Sequence, residues 1–163
     1  MPKKKLVIEK PAQYTVCRDS REQQGWTFSG NVYCAGTLIK GLKTGDYSLL
    51  GLEETFSIER KRNTAEFAQN IIQKRFENEM KRMETIPHSY LILEFTLNDL
   101  MKWPLNSGLP PYIQSKTKIS KKFLLSRFMD FQTQYNTKII LAGIYGKDIA
   151  SSLFKRMWDL YGK

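Results

Sequence analysis

The chain has 163 residues, 41% of them hydrophobic, which is enough for one core and too apolar for a disordered segment. Its formal charge of +10 suits a polyanionic partner such as nucleic acid. No apolar run approaches the ~20 residues of a spanning helix, and Met1-Pro2-Lys3-Lys4-Lys5 has no apolar core behind it, so membrane and exported classes are not expected.

Residues 1–12 read as a basic tail and 13–163 as a single domain. Gln13 to Arg18 is the first predicted strand. Ser20-Arg21-Glu22-Gln23 matches a capping box. Val32 to Leu38 reads as a second strand that leads through Gly41 and Gly45 into a hairpin. A turn at Gly51-Leu52-Glu53-Glu54 pairs Leu49 with Phe56, Tyr47 with Ile58 and Asp46 with Glu59. Side chains alternate along strands, so Tyr47, Leu49, Phe56 and Ile58 share an apolar face while Asp46, Ser48, Ser57, Glu59 and Lys61 share the other.

Like charges directly opposite each other destabilise a sheet, so Asp46 against Glu59 needs compensation. A divalent cation such as Mg²⁺ would supply it, because that ion takes one or two carboxylates and keeps several waters. Lys61 follows on the same face, within reach of a phosphate. A plain ion pair among these three residues satisfies the same spacing, and the residues alone leave both readings open.

After Lys61 the apolar spacing becomes helical. Asn63 or Thr64 is the expected cap, and Phe67, Ile71, Ile72, Phe76, Met80 and Met83 form the buried stripe of one helix, with Arg75 reaching Glu79. Pro87 ends it, and Tyr90 to Phe95 is apolar enough for a strand covered on both faces. Residues 104–118 read as a loop, with Lys116, Lys118, Lys121 and Lys122 at its end as either a phosphate path or a solvated surface. Phe123, Leu124, Leu125, Phe128 and Phe131 mark an amphipathic helix, Lys138 to Gly143 a buried strand, and Asp148 to Tyr161 the last helix. This alternation implies an α/β layer with a mixed sheet.

Other chemistries lack their parts. Cys17 and Cys34 have no metal-type spacing and are expected as reduced thiols. The lone His88 opens a strand and is expected to be structural, and no phosphate-binding glycine loop occurs.

Gly45-Asp46-Tyr47 followed by Phe56-Ser57-Ile58-Glu59-Arg60-Lys61 resembles the signature of the XPF-type structure-specific endonucleases. Val16 to Gln23, Gly36-Thr37-Leu38, Arg75-Phe76, Glu79 and Tyr90 to Glu94 are similar to the same family, so the likeness spans roughly residues 13–160. One departure is Ala65, where the family carries an aspartate four residues after its lysine; Glu66 stands beside it. The resemblance implies a restriction-endonuclease-like core, a central mixed sheet flanked by helices. It implies hydrolysis of DNA phosphodiester bonds at branches, flaps or junctions with Mg²⁺ or Mn²⁺. Asp46 and Glu59 are then the metal ligands, with a backbone carbonyl beside Glu59 as a further one. Lys61 and Asp19 complete the catalytic set, Asp19 by a second metal contact or by positioning the site. Arg21 and Arg60 grip the phosphate or lock the carboxylates.

The family's helix-hairpin-helix pattern is not visible, so DNA binding is expected to rest on the basic surface, on a homodimer or heterodimer mate, or on another protein. The apolar positions of the last two helices are the candidate dimer surface. An intracellular location follows. The alternative, suggested by Ala65, is a catalytically inactive DNA-binding subunit of a nuclease.

Overall fold

Six strands build one sheet: β1 (Tyr14–Asp19), β2 (Cys34–Lys40), β3 (Tyr47–Leu49), β4 (Phe56–Lys61), β5 (His88–Leu93) and β6 (Lys138–Leu141), in the order β2-β1-β3-β4-β5-β6. The contacts of β3 with β1 and β4 are antiparallel and the remaining three are parallel, which makes the sheet mixed. The helices are α1 (Thr64–Asn70), α2 (Lys74–Met83), α3 (Leu97–Met101), α4 (Pro111–Gln114), α5 (Lys121–Gln134) and α6 (Gly146–Tyr161). The computed structural model describes residues 12–162, so the basic tail expected over 1–12 lies outside the described residues apart from Ala12.

Strand alternation divides the apolar residues between two layers. Tyr47, Phe56, Ile58, Tyr90 and Ile92 face a layer closed by Trp26, Phe28 and α6. Leu91 and Leu93 face the opposite layer, formed with Phe67, Phe76, Met80, Met83, Leu124, Phe128 and Phe131 from α1, α2 and α5. Phe154 of α6 meets the rings of Phe28, Phe56 and Tyr14 at centroid distances of 5.1, 5.8 and 6.0 Å. Helices thus cover the sheet on both faces, and β5, with all but His88 of its residues buried, runs through the middle as its apolar composition anticipates.

The hairpin register is the expected one: Tyr47 pairs with Ile58, and the Leu52 N–H donates to the Leu49 carbonyl while the Leu52 carbonyl accepts the Thr55 and Phe56 N–H groups to shape the reversal. Elsewhere the structure corrects the sequence reading. The stripe assigned to one helix is split into α1 and α2, because Ile71 and Phe76 stand five residues apart and that step breaks the helical period. Ile72 falls at the break and is 60% exposed. Asn63 does cap α1, accepting the Glu66 N–H at 2.8 Å.

No helix follows Ser20: Asp19, rather than Ser20, accepts the Arg21 N–H at 2.8 Å and turns the chain. Glu79 pairs with Arg82, not Arg75. Strand β6 is an edge strand, half-buried rather than buried, and Phe123 of α5 is exposed. Helix α3 was not legible from apolar spacing; it is set by a capping box in which Thr96 and Asp99 exchange hydrogen bonds. Within the expected loop of 104–118, Pro110 and Pro111 start the single turn of α4.

Cys17 and Cys34 are both free thiols, and burial followed by the nearby Glu53 charge pushes the Cys17 thiol up to about 11. His88 Nε2 lies 2.7 Å from the Tyr161 hydroxyl and ties the start of β5 to the end of α6. No helix among the described residues is long and apolar enough to cross a membrane.

Gly45 controls how the hairpin presents Asp46. Its φ is +78°, and a Cβ there would sit 2.1 Å from Ser57 Oγ and 2.9 Å from the Ile58 carbonyl. Gly45→Ala is expected to lose about 1–3 kcal/mol in urea unfolding, from the left-handed backbone and the backbone collision together. Unchanged stability would show that the hairpin relaxes freely at this point.

Candidate active site

The carboxyl end of β1, the amino end of β3 and the last turn of β4's register converge at one end of the sheet. Asp46 N–H donates to the Ile58 carbonyl at 2.7 Å, and Asp19 N–H donates to the Asp46 carbonyl at 2.8 Å. Glu79 of α2 accepts the Gly45 N–H at 2.9 Å and anchors the same corner from the helix side. Together these bonds fix three strands and one helix around a cavity of about 410 Å³. Asp19, Arg21, Asp46, Glu59, Arg60 and Lys61, the six residues singled out from sequence, all line it.

Within the cavity their situations differ. Glu59 and Lys61 are 7% and 5% exposed and form an ion pair, with the Lys61 ammonium 5.0 Å above the Phe76 ring centroid. Asp46 Oδ2 accepts the Arg60 N–H at 2.8 Å. Burial first, and then the charge of Glu59, raise the Asp46 carboxyl well above its usual range, with Lys61 opposing. Burial likewise raises Glu59 against the pull of Lys61. For Lys61, burial works to lower the ammonium but is outweighed by Glu59 and Asp46, so its pKa is raised. The corner is therefore short of positive charge: one ammonium serves two crowded carboxylates.

The donor set fits a hard divalent cation. Asp46 Oδ1 and Glu59 Oε2 accept no hydrogen bond among the described residues. The Arg60 carbonyl leaves the strand on the same side as its N–H, which already meets Asp46. No cluster of three or more His, Cys, Asp or Glu side chains converges as a metal cage among the described residues. A carboxylate pair without a cage matches Mg²⁺, which retains water, better than zinc, which needs nitrogen or sulfur ligands.

Asp19 is committed elsewhere. It accepts from Arg21 N–H, Arg21 Nε at 2.7 Å, Arg21 Nη2 at 2.9 Å and Leu42 N–H at 2.8 Å. Burial works to raise its carboxyl, but the Arg21 and Leu42 hydrogen bonds outweigh it and the pKa is lowered. Its lone pairs are taken up in holding the 19–21 turn and the β2–β3 connection. Arg21 is bound in that fork, though its side chain is 66% exposed.

Arg60 points the other way. Alternation sends it to the face opposite Glu59 and Lys61, where it donates to Glu94 at 2.6 and 2.7 Å and to the Gln24 carbonyl at 2.7 Å. Its guanidinium lies 4.5 Å from the Trp26 ring centroid, and Trp26 Nε1 donates to Glu94 at 3.0 Å. Arg60 thus locks Glu94 rather than the metal-facing carboxylates, and it braces the 20–26 loop that forms one cavity wall.

Three participants carried little signal in sequence. Glu94 closes an apolar strand and gave no hint of its partner 34 residues away. Arg75 lines the cavity and has no ion pair among the described residues, which leaves it available where Arg21 and Arg60 are not. Ala65 is buried in the α1 core, whereas Glu66 lines the cavity and accepts the Arg62 N–H at 2.8 Å. A carboxylate therefore stands at this wall despite the alanine.

The family model described as the ERCC4 domain matches residues 18–143. The chain belongs to the ERCC4 domain family. That domain is a nuclease domain, and the sheet of this ERCC4 domain is restriction-endonuclease-like, as expected. The solved structure of XPF from Aeropyrum pernix in complex with DNA superimposes with a TM-score of 0.61 at 16% identity, covering 91% of this chain and 66% of that one. A second solved structure of XPF from Aeropyrum pernix gives the same score and identity over 90% of this chain and 66% of that one. No curated protein sequence matches the chain.

Because the folded state raises the Asp46 pKa, Asp46 contributes stability while protonated, and that contribution is lost as pH rises through its folded value. At neutral pH and in chelator, Asp46→Asn is expected to raise thermal stability by ~1–2 kcal/mol, since it removes one of two crowded charges. A melting curve lowered by the substitution would contradict the charge-crowding account.

Proposed function

We propose that this ERCC4 domain is a metal-dependent endonuclease that hydrolyses DNA phosphodiester bonds at branched, flap or junction structures. The observation that carries the reading is the Asp46–Glu59 pair, each with an oxygen that has no hydrogen-bond partner among the described residues, beside the buried Lys61 in a polar cavity. Asp46, Glu59 and the Arg60 carbonyl would hold the Mg²⁺ or Mn²⁺ ion. A cation bound there lowers the pKa of water and neutralises charge on the phosphoryl oxygens.

The chain's own residues do the rest. Lys61, held against Glu59 and the Phe76 ring, offers fixed positive charge where negative charge develops on the phosphate. Asp19 positions the site by fixing Arg21 and the β2–β3 connection. Arg75, with the exposed part of Arg21, holds the phosphate; Arg60 keeps the 20–26 wall in place. Lys116, Lys118, Lys121 and Lys122 are exposed and extend the positive surface for the flanking strands. Two free thiols suit action inside a cell. Self-association through exposed apolar residues near the last helices, among them Met129, Ile144 and Tyr145, belongs to the same proposal.

The rival reading, an inactive DNA-binding subunit, draws on Ala65. The presence of Glu66 on the cavity wall weighs against it.

Labelled flap, splayed-arm and plain duplex DNA incubated with the protein in Mg²⁺, Mn²⁺ or chelator test the proposal. Cutting is expected on the branched substrates in either metal and not in chelator. Asp46→Ala is expected to abolish cutting with binding retained, and Lys61→Ala to slow it roughly 10²–10³-fold. Binding without cutting in every metal would transfer the protein to the inactive-subunit reading, and cutting that survives chelator or Asp46→Ala would end the metal mechanism.

A further inference from the structure

A second cavity of about 410 Å³ lies between the 26–30 segment and the outer strand β2. Arg18 lines it, one residue before Asp19 and on the other face of β1, among the β2 residues and Trp26. The Arg18 guanidinium makes no hydrogen bond or ion pair among the described residues, and its Nε is buried without a partner. A buried charged donor left in that state is costly, and a native structure ordinarily supplies an acceptor for it. The side chain is also held in place: any Cβ on Gly25 would lie 2.3 Å from Arg18 Cδ and 2.6 Å from Nη1.

The remaining polar lining is neutral, made of hydroxyls, the Cys34 thiol and the Trp26 indole. Thr27, Ser29 and Thr37 bring hydroxyls that form no hydrogen bond among the described residues, and no carboxylate lines the cavity. A fixed guanidinium with neutral hydroxyls and no acid selects an oxyanion; a metal or an ammonium would find no counter-charge there. The contrast with the first cavity is sharp, since that one is built around acids.

We infer that this cavity binds a phosphate group of the nucleic-acid strand whose neighbouring segment occupies the Asp46–Glu59 cavity. The inference rests on the proposed reading of that first cavity. The 20–26 segment contributes to both cavities, Glu22, Gln23 and Gln24 to the first and Trp26 to the second, and the consecutive residues Asp19 and Arg18 line one cavity each. Arg60, stacked on Trp26, holds that loop against the sheet, so the spacing between the two cavities is set by the fold. A strand leaving the first cavity over this loop places its backbone at Arg18.

The test measures binding in chelator, so that it does not depend on cutting. Anisotropy titrations of labelled splayed-arm DNA over a range of salt compare the wild type with Arg18→Gln and Arg18→Lys. Arg18→Gln is expected to weaken binding at low salt severalfold and to reduce the slope of log K against log salt by about 0.7–0.9, the loss of one phosphate contact, while Arg18→Lys keeps most of that slope. Equal affinity and slope in wild type and Arg18→Gln would overturn the inference. Phenylglyoxal labelling of the unsubstituted protein, read at Arg18 by mass spectrometry, serves even if Arg18→Gln does not fold. DNA is expected to protect Arg18. Absence of protection overturns the site, and protection by inorganic phosphate as complete as by DNA at equal phosphate concentration would assign it to free phosphate instead of a strand. Cleavage of flap DNA by the wild type in Mg²⁺ is read separately, so a failure of the nuclease reading is not mistaken for a failure here.

Discussion

Two carboxylates held in one corner by a hairpin, with a single ammonium between them and the core, are the constraint around which the rest of the structure is arranged. The antiparallel register that pairs Tyr47 with Ile58 leaves Asp46 and Glu59 no alternative positions. Burial weakens the solvent that would otherwise screen their charges, so the Glu59 charge raises the proton affinity of Asp46, while burial itself, with Glu79 and Glu66 nearby, raises that of Glu59. Such an arrangement is poor for stability and good for capturing a cation. Proteins tolerate local strain of this type where the surrounding framework is firm, and here three strands and α2 are hydrogen-bonded into the corner.

Two further groups of charges make that firmness possible by neutralising themselves. The Asp19–Arg21 fork closes the turn after β1 and holds the connection into β3. The Arg60–Glu94–Trp26 brace does the same for the 20–26 loop from the opposite face of the sheet. Both use arginine, whose planar fork is pre-organised: Arg21 meets both oxygens of Asp19, and Arg60 brings two donors to one oxygen of Glu94. Neither guanidinium is left with its full capacity for a ligand. The cavity-lining cations without an acidic partner among the described residues, Arg75 at the first cavity and Arg18 at the second, are the ones proposed to meet phosphate.

The net charge of the chain and the charge of the Asp46–Glu59 corner have opposite senses. The chain as a whole is strongly basic, which draws a polyanion to its surface over long distances. Its central cavity sets acids and cations side by side, and the Asp46–Glu59 corner within it would repel the same polyanion at close range. A bound cation reconciles the two, since it turns the acidic corner into a phosphate-binding one. Basic surroundings bring the strand near; the carboxylate pair decides where chemistry can occur.

Much of this was legible in the residues because it depends on local order. The turn at Gly51-Leu52-Glu53-Glu54, the alternation of Tyr47, Leu49, Phe56 and Ile58 against Asp46 and Glu59, and the Asn63 cap all follow from neighbours in the chain. Even the break between α1 and α2 was present as a five-residue step in the apolar pattern, though it was read as continuous. What only the tertiary structure decided was the partner of each long charged side chain. Arg60 sits beside Glu59 in sequence yet reaches Glu94, Glu79 meets Gly45 and Arg82 rather than Arg75, and Arg18 Nε is buried without a partner among the described residues. The physical reason is reach: backbone hydrogen bonds and strand alternation act over a few residues and are written in composition and spacing, whereas an arginine finds its acid through the packing of distant segments.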